Sequence, residues 1–401
     1  MSALLPLEDA LERMLASALP LPDIREVDLQ EALGGVLASD VVSPIDVPSF
    51  ANSAMDGYAL RAADGQRPLR VAQRIPAGVQ GEPLAPGTAA RIFTGAPLPP
   101  GADAVAMQED CSLVNGELVV SHLVAEGDNV RPCGQDITAG ATVLAAGRRL
   151  RPQDIGLLAS VGLARVELRR PLRVAVLSTG DELVEPGERR PGPGQLYNSN
   201  RHTLAALLRS LGMQVIDCGI VPDDPEATSV ALGDAARSAD CVISSGGVSV
   251  GEEDHVRGQV ERLGRLDFWK LAIKPGKPLA FGRVLDTPFI GLPGNPTSVF
   301  VTFCLVARPF LLKLQGVEEP ALPSLVARAN FTVKRAATRQ DYLRVTLESG
   351  PTGLQASRFA NQSSGVLSSL SHSNALAVVP VGSTIAVGDS VQVLPLDLLV
   401  N

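Results

Sequence analysis

Three stretches between residues 241 and 300 concentrate the residue types that hold an anionic ligand. The first reads CVISSGGVSVGEEDH from Cys241: three apolar residues, then two serines and two glycines. Gly246, Gly247 and Gly251 let backbone approach a ligand closely. Their N–H groups, with a helix opening at about residue 252, form an anion-binding concavity, to which Ser245 and Ser249 add hydroxyls. The second stretch, FWKLAIKPGKPLAFG, brings Lys270, Lys274 and Lys277, the last two bracketing a Pro-Gly turn. The third, FIGLPGNPTSVF, turns through Pro293 and Gly294 into an apolar helix, with Asn295 as N-cap and Pro296 at the first helical position. Glycine loop, lysines and helix N-terminus together suit a ligand that carries phosphate.

Neither common nucleotide fingerprint is present. Gly246 and Gly251 have P-loop spacing, but Glu252 and Glu253 stand where the lysine and hydroxyl residue belong. No G-x-G-x-x-G follows a strand. Carboxylates accompany the lysines: Glu182, Asp223 and Asp254 all follow strand ends. They would repel a phosphate unless a cation lies between, and Mg²⁺, which takes hard oxygen ligands and phosphates together, resolves the conflict. The competing reading is that these acids only pair with the lysines. No Ser-His-Asp or Cys-His arrangement points to covalent catalysis.

The elements that must carry these groups follow an α/β rhythm. Residues 174–177 read as a strand and 198–210 as a helix with Leu204, Leu207, Leu208 and Leu211 on one face and Gly212 closing it. Residues 213–217 form the next strand, and Asp224-Pro225 opens a helix running to about residue 237. Alternating strands and helices give parallel, right-handed crossovers with ligands at the carboxyl ends of the strands. The segments 178–182, 223–224 and 244–254 should therefore converge on one rim.

Upstream, residues 7–18 read as an amphipathic helix (Leu7, Leu11, Met14, Leu15, Ala18) stopped by Pro20 and Pro22. Residues 46–138 switch to short strands broken by Gly and Pro. This module holds Asp56 in SAMDGYA, Thr94 in FTGAP, and Arg131 and Asp136 in NVRPCGQDI. Turn chemistry is the rival reading for Asp56-Gly57, and it suffices for Asp103. Residues 139–170 return to helical pattern, Arg169-Arg170-Pro171 reads as a linker, and 325–400 alternate as short strands. The expected organisation is thus multi-domain α/β plus β. A discontinuous helical part (1–45 and 139–170) carries an inserted β module (46–138), followed by a mostly parallel α/β domain (171–316) and a small C-terminal β-barrel or sandwich (317–401).

Composition narrows the class. A chain of 401 residues with 45% hydrophobic content buries several cores. Its formal charge of −8 argues against a nucleic-acid surface. Five cysteines without C-x-x-C read as reduced thiols, and four scattered histidines do not make a zinc site. The first residues lack a signal-peptide pattern, and the longest apolar helix, near 297–312, contains Arg308 and Pro309. The expectation is a soluble cytoplasmic protein with no membrane partner.

SSGGVSVGEED, FWKLAIKPGKP and GLPGNP resemble the MoeA family of molybdopterin molybdenumtransferases, which includes the E domain of gephyrin. SAMDGYA, IFTGAPLPPGADAVAMQE, NVRPCGQDI and STGDEL match as well, in the same order along the chain. The resemblance implies that adenylylated molybdopterin is the substrate and that its AMP is displaced as molybdate passes to the dithiolene sulfurs. Lys270 and Lys274 would neutralise phosphate and molybdate, while Glu182, Asp223 and Asp254 hold or polarise the pyrophosphate through the metal. Asp56, Thr94, Arg131 and Asp136 would come from the β module, Ser363 or Ser364 from the C-terminal domain, and Pro293 and Pro296 would shape the pocket. Asp224, adjacent to Asp223, competes with it for the role. A homodimer is implied, with the rim of one subunit joined to Asp56 of the other, and so is a partner enzyme that adenylylates molybdopterin. The alternatives are an adenylylating enzyme, which would need an ATP site, and a non-catalytic scaffold.

Overall fold

A computed structural model describes residues 4–248, 255–318, 320, 322–350 and 353–400, with Trp269 described by its main chain only. The chain forms two units. One comprises residues 1–25, 34–38 and 168–401, the other 26–33 and 39–167.

The larger unit is built on a six-stranded sheet. Its order is Gln214–Val221, Arg173–Thr179, Cys241–Ser245, Thr287–Leu292, Ala280–Val284 and Gly264–Trp269. The first four strands are parallel, and Ala280–Val284 runs antiparallel to the neighbour on each side of it. Side chains of Arg173–Thr179 alternate between two cores, as a strand buried on both faces requires. Val174 and Val176 pack with Leu204, Leu208, Phe303 and Phe310, whereas Ala175 and Leu177 pack with Leu232, Val256 and Val260. The helix Leu7–Ser17 adds Leu7, Ala10 and Met14 to the first of these cores.

Helix starts follow residue chemistry. Asn198 Oδ1 accepts the N–H of Arg201 at the head of Ser199–Ser210. Asp224 caps Pro225–Ser238 by accepting the N–H groups of Glu226 and Ala227 at 3.0 and 2.8 Å, with Pro225 in the first turn. Gly212 follows Ser199–Ser210 with φ +77°. The apolar helix runs from Pro296 to Leu314, is 89% buried over its most apolar window, and is a core helix. It widens to a π-helix over Phe303–Ala307, immediately before Arg308–Leu314. Pro309 lacks an N–H and its ring crowds the carbonyl one turn back, and the wider turn accommodates both.

The C-terminal strands close a five-stranded barrel in the order Gln340–Gly350, Gly353–Arg358, Leu325–Ala329, Ser390–Pro395, Ala375–Val379 and back to the first. Ile273–Lys274 joins it as a parallel edge, with Lys274 opposite Asp341. The 169–171 stretch, read as a linker, follows the boundary between the two units at 167/168 and is held in place. Arg169 ends the strand Arg165–Arg169, and Arg170 donates two hydrogen bonds to Asp240, at 2.6 and 2.9 Å. The acidic partner of Arg170, 70 positions away, cannot be read from the stretch itself.

The smaller unit centres on a six-stranded sheet ordered Ala104–Met107, Gly57–Leu60, Thr88–Ile92, Leu69–Ile75, Glu117–Val120 and Cys111–Val114. Gly57 is dictated by strand pairing. A Cβ there would lie 1.9 Å from the Ala106 carbonyl oxygen. The helix Pro152–Ser160 belongs to this unit, with the Asp154 carboxylate taking the Arg151 N–H at 2.9 Å. The finer division into four domains remains our proposal.

Candidate active site

In the larger unit the strand ends gather around a cavity of about 240 Å³. Gly246, Gly247 and Val248 line it beside Thr179 and Gly180, Glu182 and Asp223 add carboxylates, and Pro278, Pro293 and Gly294 complete it. Six residues singled out in the sequence therefore meet here: Glu182, Asp223, Gly246, Gly247, Pro293 and Gly294. Glu182 folds its carboxylate over Gly180, where an added Cβ would lie 2.3 Å from Oε2. The N–H of Asp181 donates to Asp223 Oδ2, and that of Asp223 to Asp181 Oδ1, both at 3.2 Å. Asp224 is engaged as the helix cap, so of the adjacent pair Asp223 is the one that lines the cavity. Ser249, Gly251 and Asp254 lie outside the described residues.

Around this cavity the remaining candidates divide. Ser245 is buried, does not line the cavity, and sets its hydroxyl 3.4 Å from that of Ser178. Lys274 is half-exposed and donates to Asp341 Oδ2 at 2.9 Å. Lys277 is exposed, and its carbonyl accepts the Leu271 N–H. Lys270 holds a left-handed backbone, φ +87°, unusual for a side chain with a Cβ. Asn295 occupies the N-cap position before Pro296 without a side-chain cap bond. The first turn of that helix instead meets the C-terminal segment: Thr297 donates its N–H to the Ser364 carbonyl and its hydroxyl to the Val366 carbonyl, both at 3.1 Å. Ser363 is exposed, and its carbonyl accepts from the buried Arg344 guanidinium.

The smaller unit carries its own group. The main-chain N–H and hydroxyl of Thr94 both donate to Asp56 Oδ1 at 2.8 Å. These bonds, Thr94 N–H foremost, hold the Asp56 carboxyl below the usual carboxylate range. Arg91 contributes positive charge beside it, stacks on Tyr58 and Phe93, and donates to the Gly57 carbonyl. Arg131 lies in a two-residue strand opposite Asn52, and Asp136 donates its N–H to the Val47 carbonyl.

Sequence reasoning passed over Asn200, Arg91 and Asp341, and placed Thr179 on the rim only as part of the segment 178–182. Asn200 donates to the Gly294 carbonyl at 2.7 Å, tying a helix start to the proline turn. Thr179 and Arg91 stood within or beside quoted motifs, so residue type was a usable signal. Asp341 gave none, because its meaning lies in its pairing with Lys274. Among the described residues no group of three His, Cys, Asp or Glu side chains converges on a metal position. Glu182 and Asp223 nevertheless line one cavity, and Mg²⁺ commonly takes one or two protein carboxylates with waters and substrate phosphates, so this donor set fits that ion.

Comparison with known proteins gives a consistent result along the chain. Residues 5–162 match the MoeA N-terminal region (domain I and II), residues 175–313 a probable molybdopterin binding domain, and residues 326–396 the MoeA C-terminal region (domain IV). The molybdopterin molybdenumtransferase of Haemophilus influenzae is 42% identical, covering 99% of this chain and 100% of that protein. The protein of the same name from a Nostoc species is 39% identical over 94% of this chain and 89% of its own length. Two crystal structures of molybdopterin biosynthesis MoeA protein from Pyrococcus horikoshii superpose with TM-scores of 0.79 and 0.87, at 35% and 30% identity. Each alignment covers 98% of this chain, with 99% and 100% of the respective structure. The motifs, the parallel sheet with its closed C-terminal barrel, and relatives that align end to end agree: this chain belongs to the MoeA family.

Proposed function

We infer that this protein is a molybdopterin molybdenumtransferase, which inserts molybdenum from molybdate into adenylylated molybdopterin and releases AMP. The observation that carries the reading is the cavity in which Glu182 and Asp223 face the Gly246–Gly247 loop and the Pro293–Gly294 turn. Its backbone and mixed charge suit a pyrophosphate better than an apolar ligand. Lys274, held by Asp341, and Lys270 would supply positive charge to phosphate and molybdate oxygens. Glu182 and Asp223 would hold Mg²⁺, which supplies charge neutralisation at the pyrophosphate when bound. Thr94 fixes the orientation of the Asp56 carboxylate, a second candidate group with Arg131 and Asp136. Ser245, Ser249, Gly251, Asp254, Lys277, Asn295, Pro296 and Ser363 complete the proposed set.

A homodimer, a cytoplasmic location and transient contact with a molybdopterin-adenylylating enzyme belong to the same proposal. The homodimer and the partner enzyme are what the resemblance of the motifs implies. Purification under anaerobic conditions tests the reading: a bound pterin should accompany the protein with stoichiometric phosphate. Purified protein that neither retains nor rebinds a phosphorylated pterin would contradict it.

A further inference from the structure

We propose that the Thr179 hydroxyl donates a hydrogen bond directly to a phosphate oxygen of the substrate, a contact that rests on the functional reading above. Thr179 ends the strand Arg173–Thr179, is only 7% exposed, and lines the cavity. Its hydroxyl oxygen is buried and has no hydrogen-bond partner among the described residues. A buried hydroxyl without a partner forfeits the bond it would have made to water, and an isosteric apolar side chain would avoid that loss. Valine would fill the same volume here. The hydroxyl is therefore in place for something that arrives with the ligand.

Its surroundings identify the chemistry. Thr179 lies under the glycine loop, where a Cβ on Gly247 would be 2.8 Å from its Oγ1 and one on Gly246 would be 3.2 Å away. Both glycines have left-handed φ, +92° and +66°, so the loop bends its backbone around this hydroxyl. The N–H of Gly246 is already committed to the Leu292 carbonyl at 3.1 Å. The loop's first amide is thus unavailable to an anion, and Thr179 supplies a donor at the same place. The donor is neutral, and its proton is directed by whichever acceptor enters. With Glu182 and Asp223 lining the same cavity, a hydroxyl can hold an anion's oxygen without adding charge that those carboxylates would capture.

The test measures affinity for adenylylated molybdopterin, by calorimetry on the full-length protein, for wild type, Thr179→Val, Thr179→Ser and Lys274→Gln. Thr179→Val should bind about tenfold more weakly, with a melting temperature no lower than wild type. Thr179→Ser, which keeps the hydroxyl, should bind within about twofold of wild type. Should the valine variant not fold, Thr179→Ala carries the same expectation for affinity. Wild-type affinity in the variants that lack the hydroxyl, alongside weakened binding by Lys274→Gln, would overturn the Thr179 contact and leave the functional reading standing. A folded wild-type protein that does not bind the adenylylated pterin would overturn both.

Discussion

Asp181 and Asp223, the latter lining the cavity, hold one another, each donating its main-chain N–H to the other's carboxylate at 3.2 Å. The two residues follow neighbouring parallel strands, Arg173–Thr179 and Gln214–Val221. The reciprocal pair fixes the relative position of two strand-end loops, and so places the Glu182 and Asp223 carboxylates on one cavity. Of the Asp223 carboxylate the clasp engages only Oδ2.

Breaking the clasp from its far side separates positioning from contact. Asp181→Ala removes one acceptor at an exposed site, so the global cost should be about 1 kcal/mol or less. Substrate affinity should nonetheless fall several-fold, because Asp223 loses a fixed partner. Melting curves and a KM measurement on the same preparation check both halves.

Lys274 and Asp341 form a second coupled pair at 2.9 Å. Lys274→Gln removes a charge-assisted contact worth roughly 1.5–3 kcal/mol, on the order of a tenfold to hundredfold loss of pterin affinity. Asp341→Asn alone should weaken binding less. The double variant should bind no worse than Lys274→Gln, since the aspartate acts through the lysine. Strict additivity of the two losses would show that they act separately.

Glu182 and Asp223 give a metal prediction. Turnover should require Mg²⁺, and Glu182→Gln should shift the Mg²⁺ titration midpoint to higher concentration while changing pterin affinity less. A midpoint unchanged from wild type, or full activity in excess chelator, would remove Glu182 from the metal site.

Asp240 sets an acid limit on stability. Burial raises its pKa, but the bonds from Arg170 and Arg173 outweigh that and hold it below its ordinary 3.8. A depressed carboxyl stabilises the fold fully above the unfolded-state pKa, and the contribution is lost as pH falls through the folded-state value. Asp240→Asn should therefore cost about 1–3 kcal/mol at neutral pH. The gap in melting temperature between variant and wild type should stay constant above about pH 5 and narrow below pH 4.

Local chemistry was legible in the sequence wherever a residue's role is decided within a few positions. Asp224-Pro225 opens a helix, Gly212 takes the left-handed turn that closes another, and residues 174–177 lie in a strand, all as read. The convergence of Glu182, Asp223 and the glycine loop followed from the rule that parallel strands present their carboxyl ends to one rim. Pairings set by tertiary structure were not legible. Asp341 meets Lys274 across 67 positions, Arg170 meets Asp240 across 70, and neither partner is marked by type or spacing. The π turn over Phe303–Ala307 also escaped, because an apolar helix pattern continues through it unchanged.

The central claim is that this protein couples loss of AMP to gain of molybdenum. Purified protein supplied with adenylylated molybdopterin and Mg²⁺ should release AMP when molybdate is added, with one molybdenum retained on the pterin for each AMP released. Lys274→Gln and Glu182→Gln should each slow that release. AMP release without molybdenum incorporation, or no release by folded protein that binds the substrate, would contradict the account.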